Sequence, residues 1–518
     1  MRPFIHEIQT AHTPESLVEN LHAEPGVMLL RSLRLDSSTA RYSFVLARPF
    51  LTFRAHGSRC ESLVEPIAHS PQTTDHGQKV THHAPRTTSP QLQFGNPWHA
   101  LDALMSRYEL LDEADLPFPL GGCFGYWGYD LKNFVEPKLP RRAVNDLELP
   151  DCHVGFYDSL VVFDHQLGKT FIVSTGLHAD GSRSEARAKL QLEFWRDRIE
   201  NPESAAHAPR TTHHAPRTTR PVSNVTRADF LTAVARAQEF IRLGHIYQVN
   251  LSQRLTAPCA LSGWDFFQRL ADVSPAPFAA FLDCGEFQIA SSSPEQFLRM
   301  SGAHVTTRPI KGTRPRSPDA TRDLQLAHEL QTSAKELAEL VMITDLLRND
   351  LGKVCEYGSV TVPDLARLER FAQVQHLVST VEGRLRADVT HFAAFASCFP
   401  GGSITGAPKI RAMEIIDELE PVTRGPYTGA LGYLGFNRES QLSITIRTAI
   451  VKNNFTHFHV GAGIVADSNP EMEYAETLAK AAGFMAALAA PTPNTESDPL
   501  PALSGNFSEP VSAPGDAA

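Results

Sequence analysis

The sequence has no surplus of positive charge: 48 Lys and Arg against 58 Asp and Glu leave a net charge of −10 and a pI near 6.1. No global basic field exists to collect phosphates, which excludes nucleic-acid binding as the main activity but leaves room for a local anion pocket. Cysteine is sparse. The seven, at 60, 123, 152, 259, 284, 355 and 398, are odd in number and contain no Cys-x-x-Cys pair. A disulfide framework and a ribbon-type zinc site are therefore not expected; reduced, mostly buried thiols in a cytoplasmic protein are. No apolar run approaches the roughly 18 residues of a membrane span. The opening Met1-Arg2-Pro3-Phe4-Ile5-His6-Glu7 has no long apolar stretch after its basic start, so no secretory signal is expected.

What is present is an ordinary globular composition, 42% hydrophobic and 20% charged over 518 residues, enough for a large core. Three segments look dispensable to that core. Residues 69–91 and 201–224 are polar and share the hexapeptide His-Ala-Pro-Arg-Thr-Thr, at 83–88, 207–212 and 214–219. The repeat suits exposed inserted loops; a histidine metal site is the weaker alternative, because no buried scaffold orients the rings. Residues 491–518 are a Pro/Ser/Ala-rich tail expected to be disordered. Two blocks remain. Residues 1–200 read as short strands, for example 26–30 and 158–163. Residues 225–490 mix strands (287–290, 442–451, 457–465) with strong helices, of which 333–351 carries an apolar stripe of Leu337, Leu340, Val341, Thr344 and Leu347. Long helices without regular strand–helix alternation indicate an α+β fold.

The chemistry concentrates in the second block. Thr306-Thr307-Arg308-Pro309-Ile310-Lys311-Gly312-Thr313-Arg314-Pro315-Arg316 sets one lysine among three arginines. Their charges are expected to lower the pKa of Lys311 and favour a nucleophilic amine, the alternative being a solvated basic loop. Glu295, in Ser291-Ser292-Ser293-Pro294-Glu295-Gln296-Phe297, lies sixteen residues before Lys311. Two hairpin strands could join them for proton exchange. In Gly461-Ala462-Gly463 the small residues let backbone amides approach an anion. The helix expected after Pro470 carries Glu473, Glu476 and Lys480 on one face, either as a solvated ion-paired surface or as a site. Glu339 is either an i, i+4 partner of Lys335 or joins Glu476 in holding Mg²⁺, which takes one or two protein carboxylates and completes its shell with water and substrate. The run Pro400-Gly401-Gly402-Ser403-Ile404-Thr405-Gly406-Ala407-Pro408-Lys409 is read as opening a helix over 408–419, with amides free for a carboxylate. Arg447, in the β-branched run 443–448, is read as a strand residue suited to a bidentate substrate carboxylate.

These segments resemble the chorismate-utilising enzymes, the family of anthranilate synthase component I. The match is carried by Gly244-His245-Ile246-Tyr247-Gln248-Val249-Asn250-Leu251-Ser252-Gln253, Ser292-Ser293-Pro294-Glu295, Pro309-Ile310-Lys311-Gly312-Thr313, Asp345-Leu346-Leu347-Arg348-Asn349-Asp350-Leu351, the 400–409 run and Gly461-Ala462-Gly463-Ile464-Val465. It covers nearly everything outside the three low-complexity segments. The fold it implies is a two-subdomain β-sandwich with flanking helices and the active site at one edge, an N-terminal region over 1–200 and a chorismate-binding catalytic domain over 225–490. Members that add water to chorismate resemble one another in a lysine base at the position of Gln248. Members that make anthranilate usually have a small residue at the position of Lys311, so lysine there marks the aminodeoxychorismate branch.

The activity so implied converts chorismate and ammonia to 4-amino-4-deoxychorismate, toward 4-aminobenzoate and folate. The alternatives are anthranilate synthesis and a non-catalytic homologue that only docks an amidotransferase. By the resemblance, Lys311 attacks C2, Glu295 is the general acid/base and His376 lies near the leaving hydroxyl. Mg²⁺ is held by Glu339 and Glu476 with Glu473 in support. Arg447, Tyr427 and the amides of Gly461, Ala462 and Gly463 hold the enolpyruvyl carboxylate. Lys480 helps neutralise a carboxylate, and Gln248, Thr313, Ser403 and Thr405 complete the substrate pocket. Two positions depart from the family pattern: Leu340 follows Glu339 where asparagine is common, and His245 stands where aspartate is usual. Gly121-Gly122-Cys123-Phe124-Gly125 imitates an amidotransferase nucleophile elbow, but no His-x-Glu follows it, so ammonia is expected from a separate glutamine amidotransferase subunit. Leu30 and Ser32, with Pro275 and Phe278, align with an effector pocket that binds tryptophan in relatives; plain core residues are the alternative.

Overall fold

The computed structural model describes residues 2–32, 41–64, 90–111, 116–201, 220–370 and 374–489. All three hexapeptide copies and the 491–518 tail lie outside them. The described strands form two sheets built from antiparallel pairs, each with eleven strands in one order and a twelfth branching off it, Gly406–Ala407 on Gln248–Pro258 in the first and Thr361–Arg370 on Val374–Arg384 in the second. The first runs in the order Phe4–Ile8, Lys169–Ser174, Ser159–Asp164, Tyr42–Leu46, Met28–Arg31, Phe278–Asp283, Gln288–Ser293, Thr448–Lys452, Phe455–Ile464, Gln248–Pro258 and Val222–Ser223. The second runs Ile310–Pro315, Val374–Arg384, His304–Arg308, Gln296–Ser301, Glu439–Ile444, Ala430–Gly435, Gly122–Trp127, Cys152–Tyr157, Leu51–His56, Arg59–Val64 and Gln91–Phe94. Each sheet thus draws strands from both halves of the chain.

The sheets meet face to face through alternating apolar residues, as the two-residue strand period requires. Phe44, Leu160 and Ile289 of the first pack with Phe124, Leu431 and Tyr433 of the second, and the Phe44 and Tyr433 rings meet edge-on at 5.3 Å. Helices cover the outer faces. Glu185–Glu200, Gly263–Val273 and Pro470–Ala489 lie on the first sheet; Pro97–Tyr108, Ala334–Gly352 and His391–Cys398 lie on the second. Ser333 caps the Ala334–Gly352 helix by accepting the Glu336 N–H. Its buried face is Leu340, Ile343, Thr344, Leu347 and Leu351, so Val341 of the expected stripe points outward and Ile343 replaces it. A single 3.6-residue stripe cannot hold both, because they sit on either flank of Leu340's row.

The chain changes sheets twice in short steps that matter for function. Pro294 and Glu295 connect Gln288–Ser293 to Gln296–Ser301, and residues 445–447 connect Glu439–Ile444 to Thr448–Lys452. Arg447 is therefore a connector with left-handed φ of 50° and not a strand residue. The unbroken β-branched run hid the break, because strand propensity does not register a switch between sheets. The two connectors are pinned together: Ile444 N–H donates to Glu295 O at 3.0 Å, Ser292 N–H to Arg447 O at 3.0 Å, and Ser293 Oγ–H to Ile444 O at 2.6 Å.

Away from these connectors, Asp151 precedes the strand Cys152–Tyr157 and accepts the Gly57 N–H at 2.6 Å. Burial, then the neighbouring Asp130 carboxylate, pushes its pKa up to about 6. A carboxyl raised above its unfolded value stabilises the fold below the unfolded pKa and loses that contribution as pH rises through the folded one. Asp151→Asn keeps an acceptor for Gly57 without the charge. Thermal melts should show the variant more stable than the parent at pH 8, by at most about 3 kcal/mol, with the difference vanishing near pH 4. Equal stabilities at pH 8 would remove the burial argument.

Candidate active site

Glu295 is buried at the first sheet crossing. Burial raises its pKa; the Ser403 hydroxyl, the charge of Lys311 and the Ile310 N–H pull the other way. A carboxyl raised in this way holds its proton to higher pH than an exposed one, as a general acid must. Ser403, expected to touch substrate, thus bonds the acid/base candidate itself.

Lys311 enters from Ile310–Pro315, which pairs with Val374–Arg384. The register slips between Lys311 and Thr313, leaving Gly312 as a bulge residue at φ +69°. A Cβ on Gly312 would come within 2.6 Å of Leu330 Cδ1, so both conformation and space require glycine. The bulge re-aims Lys311 toward the strand Phe455–Ile464: its Nζ lies 4.0 Å from where a side chain on Gly463 would start, and Gln248 Nε2 lies 2.6 Å from the same point. Gln248 is buried, and its Oε1 has no hydrogen-bond partner among the described residues. A buried acceptor left open beside an amine is suited to a ligand donor.

The arginines expected to crowd Lys311 are each engaged by a carboxylate: Arg308 by Glu369, Arg314 by Glu336 at 3.5 Å and Arg316 by Asp323 at 2.8 Å. Strand pairing and the following helices bring those acids from 7 to 61 residues away, so a local count of charge overstated the positive field. Across the bulge, His376 is buried and its Nδ1 lies 2.9 Å from the Thr313 hydroxyl.

A carboxylate wall faces the lysine. Glu339, on Ala334–Gly352, has its pKa raised by burial, opposed by Lys311 and Lys335 and reinforced by Glu336 and Glu476. Glu473, on Pro470–Ala489, is raised by burial against the Ser468 hydroxyl that bonds it at 2.6 Å, and Glu476 raises it further. Glu476 therefore sits electrostatically between the other two. Its own ion pair is with Lys480, at 2.7 Å, and Lys480 Nζ also donates to Gly461 O at 2.8 Å. Among the described residues, no three His, Cys, Asp or Glu side chains form a closed metal-binding group. Mutually repelling carboxylates that do not close a shell fit an open Mg²⁺ site, where water and an anionic ligand would supply the remaining oxygens. Leu340, the neighbour that departs from the family pattern, is in the core against Leu330 and Leu377.

The remaining wall is the ladder of Gln248–Pro258 on Phe455–Ile464. Beyond Phe458 the latter strand pairs with only one of the described strands, which leaves its other edge open over residues 461–463 except where Lys480 reaches Gly461 O. Tyr427 closes over Gly461, its Oη only 2.7 Å from where a Cβ would stand. Its ring stacks on His459 at 5.0 Å, and burial pushes its pKa up to about 12. The 400–409 run leads into the expected helix, Lys409–Leu419 with Pro408 as its N-cap; ahead of it the run makes a 3-10 turn, Gly402–Ile404, and a two-residue strand, Gly406–Ala407, on Gln248 and Val249. Thr405 Oγ donates back into that turn, with Gly401 O at 3.1 Å and Gly402 O at 3.2 Å. Apart from this wall, Leu30, Ser32 and Phe278 line a cleft with Tyr42 and Tyr433; Pro277, and not Pro275, is among its walls.

Missed in the sequence were Asn250, which bonds Tyr427, Ser468 on Glu473, and the buried Glu420–Arg424 pair behind the wall. The last is an i, i+4 acid–base pair that looked like any surface pair.

The two-sheet α+β fold is the one anticipated from the motifs. The chain belongs to the chorismate binding enzyme family, whose family model matches residues 35–486. It is 36% identical to anthranilate synthase component 1 of Acetivibrio thermocellus over 480 residues, 92% of each chain. It is 38% identical to aminodeoxychorismate synthase component 1 of Escherichia coli over 458 residues, 88% of this chain and 92% of that one. Its fold is that of the solved anthranilate synthase component I from Streptococcus pneumoniae, with a TM-score of 0.70 and 29% identity over 87% of this chain and 93% of the other. Relatives with either activity in their names match, so the chain is a chorismate-utilising enzyme of this group.

Proposed function

We propose that the chain aminates chorismate at C4, giving 4-amino-4-deoxychorismate for 4-aminobenzoate and folate synthesis. The observation that carries this reading is the placement of Lys311 by the Gly312 bulge, beside Gln248 and Gly463 and acting on both Glu295 and Glu339. A glutamine amidotransferase subunit, the second component implied by relatives named component 1, supplies ammonia. Seven buried, unpaired cysteines suit a reducing cytoplasm.

The amine of Lys311, after passing a proton to Glu295, forms a bond to C2 of chorismate, the ring double bond shifts, and the C4–O bond breaks. The hydroxyl departs as water on a proton from Glu295, with His376 placed near it. Ammonia then bonds to C4, the double bond shifts back, and the C2–N bond breaks. Glu295 takes up the ammonia proton and returns one to the departing lysine. Gln248 Oε1 offers an acceptor within the pocket. Arg447, Tyr427 and the backbone of Gly461, Ala462 and Gly463 hold the enolpyruvyl carboxylate, and Lys480 adds positive charge. Thr313 orients His376, Ser403 orients Glu295, and Thr405 shapes the turn between them. When bound, Mg²⁺ would neutralise the ring carboxylate, with Glu339 and Glu476 as its protein ligands and Glu473 in support. The cleft at Leu30, Ser32 and Phe278 is a candidate pocket for a bound tryptophan.

The test is product identity. The full chain is incubated with chorismate, Mg²⁺ and high ammonium, then given a 4-amino-4-deoxychorismate lyase. Lyase-dependent 4-aminobenzoate is expected. Anthranilate without lyase would overturn the reading in favour of anthranilate synthesis. No product with ammonium, and none with the amidotransferase added, would favour a docking homologue.

A further inference from the structure

One face of the ladder between Gln248–Pro258 and Phe455–Ile464 is polar throughout. Asn250, Ser252, Arg254 and Thr256 stand opposite Gly463, Gly461, His459 and His457, and strand alternation puts all of them on the same side, with Gln248 at the end. The other side, with Val249, Leu251, Leu255, Phe458 and Ala462, is core. A buried polar face needs partners. At its outer end Arg254 finds Asp146, Nη1 to Oδ1 at 2.7 Å. In its middle it meets the pair Glu420–Arg424, whose side chains are 6% and 1% exposed.

Every donor of Arg424 is used. Nε and Nη2 grip Glu420 at 2.8 and 2.7 Å. Nη1 donates to Ile404 O and to Thr428 Oγ, both at 3.2 Å, and Nη2 also to Asn250 O at 2.7 Å. Glu420 in turn accepts from Ser252 N–H at 2.8 Å and from Ser252 Oγ–H at 3.0 Å. One guanidinium therefore ties three backbone segments together, two of which, the turn and the strand, are also joined directly by Asn250 N–H to Thr405 O at 2.9 Å. The first is the 402–405 turn, with Ser403 on Glu295. The second is the strand that carries Gln248 and Asn250. The third is residues 427–428, with Tyr427 over Gly461. Lysine could not replace it, because a single ammonium cannot reach acceptors spread around a planar fork.

We infer that Glu420 and Arg424 are positioning residues: the pair touches no substrate, and it fixes the separation of the three walls that receive the substrate carboxylate and orient Glu295. This rests on the chorismate reading above. A pair kept only for stability would hold the fold without affecting affinity for chorismate.

The test uses the full chain with ammonium as nitrogen source and follows whichever amination the parent performs, so it is read independently of which product forms. In folded Arg424→Lys, the chorismate KM should rise roughly tenfold or more while the ammonium KM stays within about twofold. The acid limb of the kcat profile should also move to higher pH, because a displaced Ser403 no longer favours the ionised Glu295. If Arg424→Lys does not fold, the double variant Glu420→Gln/Arg424→Gln removes both charges and leaves none uncompensated, and it should show the same KM split. Ser252→Ala deletes only the Oγ bond to Glu420 and should raise the chorismate KM about threefold. A folded variant that melts at lower temperature but keeps the parental chorismate KM and pH profile would overturn the inference.

Discussion

On the proposed mechanism, formation of 4-amino-4-deoxychorismate in Lys311→Ala is expected to drop by about a thousandfold or more, because the covalent step would lose its nucleophile. The effect should fall on kcat with the chorismate KM little changed, since carboxylate binding belongs to other walls. The fold should survive: Lys311 lies at the partly exposed edge of its sheet, and alanine fits the same strand position. The side chain also occupies the space beside Gly463. Its removal opens C2 of the ring to ammonia, and the small residue then matches the anthranilate-forming pattern. Anthranilate or its 2-amino precursor should therefore appear as the minor product, measurable by fluorescence and mass spectrometry. C4 amination at the parental rate would remove Lys311 from the chemistry. Gly312→Ala should approach the same loss by another route, because it displaces the bulge that aims the lysine.

Removal of one wall carboxylate should be nearly as severe. Glu476→Ala is expected to weaken Mg²⁺ by roughly 100-fold or more, with turnover recovering only partly at high Mg²⁺. Calorimetric titration of Mg²⁺ in the presence of chorismate gives the affinity directly, apart from turnover. Glu339→Ala should behave alike, and Glu473→Ala should cost less, because the Ser468 hydroxyl already engages one of its oxygens. Glu476 also pairs with Lys480, so an electrostatic side effect must be separated. Lys480→Met removes that pair while leaving the carboxylate, and it should raise the chorismate KM without changing Mg²⁺ affinity. An unaltered Mg²⁺ response in Glu476→Ala would sink its assignment as a ligand.

Much of the site was legible in the residues because its chemistry is local. A lysine with glycine after it, a glutamate after a serine run, and paired glutamates one helical turn apart can each be read without long-range information. The helix over 334–352, with its serine cap and i, i+3, i+4 burial, was equally plain. The errors share one cause. Arg447 was taken for a strand residue, and three arginines for a field around Lys311. Each was judged from sequence neighbours, whereas its conformation or charge partner comes from elsewhere. Glu369 reaches Arg308 across 61 residues, and Ser292 donates to the Arg447 carbonyl at the end of the ladder between Gln288–Ser293 and Thr448–Lys452.

The sequence by itself determined the family, the α+β class, and the identity of the groups able to do chemistry, because these depend on residue type and short spacing. Only the tertiary structure decided how they meet. Glu295 and Arg447 stand together because the chain changes sheets at both places, and Lys311 points at Gly463 because a bulge shifts its register. The walls keep their spacing through Arg424, a residue no local pattern singled out. Such placements depend on hydrogen bonds between segments as much as 174 residues apart, and local preference carries no information about which segments will be neighbours.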